Sequence, residues 1–114
     1  MRRVAPLVDV LGVLVFVLIG RAHHDHGETF GGVVSTAWPF LLGLLVAWSA
    51  VRRTGRDGLS LRAGAFIALV TVVIGMTARV LAGQGTAPAF IAVALAFNGA
   101  LMLAWRALGR WWGR

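Results

Sequence analysis

A chain of 114 residues that is 59% hydrophobic and only 13% charged departs far from a soluble domain, which is roughly 45–50% apolar and about 25% charged. So small a chain cannot hide that much apolar surface in a water-soluble core, so lipid is its expected solvent. The absence of cysteine excludes disulfides, thiolate metal sites, iron–sulfur clusters and cysteine nucleophiles. Eleven basic residues, all arginine, stand against four acids and give +7, a balance that suits either nucleic acid or a membrane surface.

Four apolar runs follow in chain order, at about residues 4–20, 33–51, 63–82 and 87–105. Each is long enough to cross a hydrocarbon core of about 30 Å as a helix. The expected fold is therefore all-α, an integral membrane bundle of four transmembrane helices. Residues 106–114 form a basic and aromatic cytoplasmic tail, and no soluble domain is left over.

The first run contains Asp9. Its twelve Val, Leu, Ile and Phe residues favour insertion by roughly 5 kcal/mol, more than the roughly 3 kcal/mol that a central aspartate opposes. A cleaved signal peptide is the rival reading, with Arg2 and Arg3 as its basic start and Gly20-Arg21-Ala22 as its cleavage site. The apolar run exceeds the usual length for that role, and an aspartate inside it is awkward. Ala5, Asp9, Gly12, Phe16 and Gly20 share one helix face, which turns Asp9 into the bundle.

The loop after it carries His23, His24, Asp25, His26 and Glu28. Imidazole with carboxylate suits zinc, nickel or copper, and these histidines are weak metal candidates. Contiguous histidines in one short loop rarely close a site alone, so a solvated, pH-sensitive loop is the plainer reading and no cofactor is expected.

The second run places Gly32, Thr36, Pro39, Gly43, Ala47 and Ala50 on a small-residue seam of the kind along which helices in lipid approach. Pro39 cannot donate to the carbonyl of Ser35, so a kink or a freed carbonyl is expected there. Arg56-Asp57-Gly58 reads as a turn and Ser60 as the cap of the third helix. That helix carries its own seam of Gly64, Ala68, Thr71, Gly75, Ala78 and Ala82. Gly83-Gln84-Gly85 is a tight outer turn, Thr86 a cap and Pro88 a first-turn residue. The fourth run has a shorter seam of Ala89, Ala92, Ala96 and Gly99.

With the N-terminus inside, nine arginines fall on the inner side (Arg2, Arg3, Arg52, Arg53, Arg56, Arg62, Arg106, Arg110 and Arg114) and two, Arg21 and Arg79, outside. The positive-inside rule then puts both termini in the cytoplasm and the protein in the plasma membrane. Arg106, Arg110 and Arg114 recur every four residues beside Trp111 and Trp112. They read as an interfacial anchor on anionic lipid, not as a nucleic-acid contact.

The intramembrane polar candidates are Asp9, Thr71 and Asn98. Ionisable groups at membrane depth point to ion or proton coupling, and interhelical hydrogen bonding is the plain alternative. Depth along the runs places all three near one level. Arg21, His24 and Arg79 gather at the outer rim, where two guanidiniums could fork onto a small anion or simply snorkel. Arg21 and Arg79 are 58 apart and Trp48 and Trp105 are 57 apart, a spacing that suits a weak internal repeat.

Motifs of hydrolases, zinc peptidases and phosphate-binding loops are absent, so no enzyme and no catalytic residue is expected. The leading function is binding or moving a small polar or ionic solute as a homo-oligomer, since four short helices leave little room for a path within one copy. The alternative is a non-transporting helper subunit or scaffold packed against a larger membrane protein.

Asp9, Phe16, Gly20-Arg21 and His24, followed by Pro39-Phe40, Gly43 and Trp48, then Thr71-Val72, Gly75-Met76, Arg79, Ala89-Phe90-Ile91 and Trp105-Arg106, form a pattern spread along nearly the whole chain. In these residues it resembles the prokaryotic membrane family called domain of unknown function 3054. The resemblance implies a compact four-helix integral membrane protein and brings no activity, substrate or cofactor with it. His23 and His26 are not part of that pattern.

Overall fold

Long apolar stretches without β-sheet turn signals wind into four helices. The computed structural model describes residues 4–23, 30–84 and 88–112. The helices are α1 (Ala5–His23), α2 (Phe30–Arg53), α3 (Leu61–Leu81) and α4 (Pro88–Trp112). Three are long and apolar enough to cross a membrane, over Gly31–Arg53, Leu61–Leu81 and Pro88–Trp111. The apolar part of α1 is shorter, Ala5–Gly20, about 24 Å at the helical rise. The fourth helix overruns its expected end, so most of the stretch foreseen as a tail is helix.

Neighbours in sequence are neighbours in space, and α1 closes the ring against α4. Residue pairs fix the direction of each helix. Asp9 meets Trp48 and Arg106 near one end, while Phe16 meets Phe40 and Phe97 further along. Successive helices are thus antiparallel, in an up-down-up-down bundle measuring 42 × 26 × 25 Å.

Two helices stop in the same way. At the end of α2, Arg56 N donates to Val51 O and Gly55 N to Arg52 O. At the end of α3, Gln84 N donates to Arg79 O and Gly83 N to Val80 O. These are Schellman closures, which need a left-handed residue. Gly55 (φ 67°) and Gly83 (φ 77°) supply it. Ser60 caps α3 as expected, its Oγ accepting from Ala63 N at 3.0 Å.

The seams of α2 and α3 do pack. A methyl group on Gly43 would lie 2.5 Å from Thr71 O, and one on Gly75 would lie 2.6 Å from the Phe40 ring. The seam of α4 does not follow its expectation. Ala89, Ala92 and Ala96 are exposed, and the buried stripe of α4 is Ala94, Asn98, Met102 and Arg106 instead. The physical reason is phase. Residues four apart along α4 carry one face inward, and that face holds the larger and more polar side chains.

The exterior is apolar. Leu7, Leu11, Leu45, Leu69, Val73 and Val93 are all more than half exposed. Four phenylalanines, Phe16, Phe40, Phe90 and Phe97, fill the interior away from Asp9, with ring centroids 5.5–6.1 Å apart in the contacting pairs.

Candidate functional site

Asp9 sits one helical turn into α1, on the face that Ala5, Val13 and Phe16 also bury. It is 1% exposed. Four N–H groups converge on its carboxylate, two on each oxygen. Oδ1 accepts from Trp105 Nε1 at 2.9 Å and Arg106 Nη1 at 3.0 Å. Oδ2 accepts from Trp48 Nε1 at 2.9 Å and Arg106 Nη2 at 2.8 Å. The arginine grips the carboxylate in a two-pronged fork, the strongest geometry open to such a pair.

Arg106 is just as buried, 1% exposed. Its Nε donates to Gly58 O at 2.9 Å and its Nη1 also to Met102 O at 3.1 Å. The guanidinium lies over the Trp105 ring, 4.4 Å from its centroid. A single polar knot therefore ties α1, α2, α4 and the α2–α3 turn together. Two glycines make room for it. A methyl on Gly58 would strike the Trp48 ring at 2.5 Å, and one on Gly64 would strike Arg106 Cδ at 2.8 Å.

Burying two charges carries a desolvation penalty that only close pairing and full hydrogen bonding offset. Here the pairing is close and both carboxylate oxygens are saturated. The pair also explains Trp48 and Trp105, whose 57-residue spacing stood out in the sequence. Each gives its one N–H to the same carboxylate.

This corrects two expectations. Arg106 is not part of a lipid-interface stripe, because its position continues the inward register of Ala94, Asn98 and Met102. Arg110 and Trp111 do lie exposed beyond it. Of Trp112 only the helical backbone is described, and Arg114 lies outside the described residues. Second, Asp9 does not share a level with Thr71 and Asn98. Its partners on α4 are Trp105 and Arg106, and Asn98 is eight residues, about 12 Å, further along that helix.

Thr71 and Asn98 form a second buried position. Gly43 abuts the Thr71 backbone. The antiparallel register that sets Gly64 against Met102 and Arg106 brings Thr71, two turns on, level with Asn98. Asn98 Nδ2 donates to Ala94 O at 2.9 Å. Among the described residues Thr71 Oγ1 and Asn98 Oδ1 are buried with no hydrogen-bond partner.

At the opposite end from Asp9, Arg79 Nη1 donates to Gln84 Oε1 at 3.0 Å and lies 4.8 Å over the Phe90 ring. Gln84 Nε2 in turn donates to Ser35 O at 3.3 Å. That is the carbonyl that Pro39 deprives of its helical donor. The freed carbonyl foreseen in the sequence is thus taken up by the α3–α4 turn. Gln84→Ala is expected to cost about 1 kcal/mol in thermal unfolding. The loss should shrink in a Pro39→Ala background, where residue 39 regains an N–H for Ser35.

His24 and His26 lie outside the described residues, and of Arg21 and His23 only the helical backbone is described. Among the described residues no three His, Cys, Asp or Glu side chains gather as for a metal.

A family model described as "Protein of unknown function (DUF3054)" matches residues 6–109. The chain belongs to the DUF3054 family. The match runs from the turn before Asp9 to just past Arg106, so both halves of the buried pair fall within the DUF3054 region. No curated protein and no solved structure matches the chain.

Proposed function

We propose that this DUF3054 member is a multi-pass protein of the cytoplasmic membrane, with four transmembrane helices and both termini inside, that binds or moves a small polar or ionic solute as a homo-oligomer. The apolar exterior supports the membrane reading. Arg52, Arg53, Arg56, Arg62 and Arg110 are exposed near the end that holds Asp9, which supports the orientation.

One observation carries the solute reading. Thr71 Oγ1 and Asn98 Oδ1 are two buried oxygens without partners among the described residues, and the register of α3 against α4 puts them at about one level. An unsatisfied buried polar group costs about 1–3 kcal/mol, so the carbonyl oxygen of Asn98 and the hydroxyl of Thr71 favour a hydrogen-bonding partner from outside the chain. A solute bearing N–H or O–H groups, or a small cation, supplies one. The Asp9–Arg106 knot then closes the inner end, and Arg79 with Gln84 stands at the outer one.

A second reading rests on the outward seam of α4. Ala89, Ala92 and Ala96 lie exposed on the least buried of the long helices. Such a seam admits another helix closely, whether from a second copy or from a larger protein that this chain assists.

Flux into proteoliposomes separates the two, with potassium, sodium and ammonium as probes. The solute reading expects flux above that of protein-free vesicles. It also expects Thr71→Val with Asn98→Leu to lower it at least about tenfold, from the loss of two acceptors worth about 1 kcal/mol each. Each substitution removes an oxygen without a described partner, and Asn98→Leu gives up in addition only the local bond to Ala94 O, worth about 1 kcal/mol, so the fold survives them. Wild-type vesicles no leakier than empty ones to all three probes would sink the solute reading and leave the helper one.

A further inference from the structure

Between the end of α2 and the start of α3 lies a cavity of about 420 Å³. It is stepped. At its outer rung stand Thr54, Arg56 and Arg62, and one helical turn deeper stand Ala50 and Phe66. Thr54, just past the end of α2, follows Ala50 by four residues and its N–H still donates to Ala50 O, and Phe66 follows Arg62 by four on α3. Each helix therefore presents a polar rung and an apolar rung on one face, about 6 Å apart.

The polar rung is cationic. Arg56 and Arg62 are exposed, and neither makes an ion pair with a described carboxylate. Asp57 also lines the cavity, its Oδ1 accepting from Leu59 N at 3.0 Å, which holds it to its own turn; against its one charge the two arginines leave the lining cationic. The Ser60 hydroxyl is spent too, donating to Asp57 O and accepting from Ala63 N. With Ala63 N and Gly64 N taken by Ser60, the first-turn N–H groups of Leu61 and Arg62 are left for an outside acceptor. Anions favour such a helix start, and guanidinium forks onto phosphate.

We propose that this cavity is a binding site for the phosphate headgroup of an anionic phospholipid, with an acyl chain lying across Ala50 and Phe66. Charge complementarity selects the phosphate. The apolar rung suits a lipid over a free ion, because Ala50 and Phe66 line the same cavity as the arginines and give an acyl chain joined to the phosphate a surface that a bare phosphate has no group to use. The site lies apart from Thr71 and Asn98 and does not depend on the solute reading.

The test is native mass spectrometry of the full chain, delipidated in detergent and titrated with phosphatidylglycerol, phosphatidylcholine or inorganic phosphate. Phosphatidylglycerol is expected to be retained in preference to phosphatidylcholine. The double substitution Arg56→Gln and Arg62→Gln should weaken its retention at least about tenfold, from the loss of two charge-assisted contacts. Arg53→Gln, an exposed arginine of the same end outside the cavity, should leave retention unchanged. An equal loss on Arg53→Gln would overturn the proposal in favour of diffuse surface charge. Displacement by inorganic phosphate at matched concentration would overturn it in favour of a soluble-anion site, and equal retention of phosphatidylcholine would leave the arginines no role. Unchanged thermal unfolding of the double variant separates lost binding from lost fold.

Discussion

Arg106→Leu is expected to lower stability by about 3–5 kcal/mol, because it leaves a fully buried carboxylate facing only two indole N–H groups. Asp9→Leu should cost a similar amount, stranding a guanidinium against the Gly58 and Met102 carbonyls. The double variant should be less damaged than the two losses added, with a coupling of about 2–3 kcal/mol. Replacing both members removes both uncompensated charges and leaves Trp48 and Trp105 each short of one acceptor. Thermal unfolding in detergent micelles, run as a four-way cycle, reads this directly. Strict additivity would show that the pair does not act as one unit. The same geometry bears on any flux assay of Asp9→Asn. An amide there turns an N–H toward donors that now meet an oxygen, so lost flux would report a disrupted knot as readily as a lost coupling group. Thr71 and Asn98 are better probes of transport for that reason.

Much of the fold was legible because apolar length and turn chemistry are local signals. The cap at Ser60 and the turn at Gly83 lie where a helix must begin or end, and Pro39 announced the free carbonyl at Ser35 that Gln84 takes up. The direction of Asp9 into the bundle was legible from its face. Its partner was not, because Arg106 stands among other arginines just past an apolar run, where composition describes an interface anchor. Two signals could have found it. The four-residue register of Ala94, Asn98 and Met102 reaches Arg106 without a break, and a carboxylate in an apolar span requires a cation at its own depth. The seam of α4 misled for the opposite reason. Small residues mark a close approach, but a sequence does not say whether the approaching helix belongs to the same chain.

Gly43→Ala offers the sharpest check on that packing and is expected to cost about 3 kcal/mol or more, at the upper end of overpacking effects. The added methyl would sit 2.5 Å from Thr71 O and 2.9 Å from Thr71 Cα. Both are backbone atoms, so no rotamer change relieves the clash and α2 must move away from α3. That shift also disturbs Thr71, so a solute held there should bind more weakly in the same variant. Gly99→Ala is the matched contrast. Nothing lies within 4 Å of its added methyl, and replacing a helical glycine gains about 0.5–1 kcal/mol. In dilute detergent Gly99→Ala should therefore match or exceed the wild type in thermal unfolding. If the outward face of α4 seats a second copy, the same methyl should weaken the oligomer while the single chain grows more stable. The two glycines, alike in sequence, then separate the packing of one chain from the packing between chains.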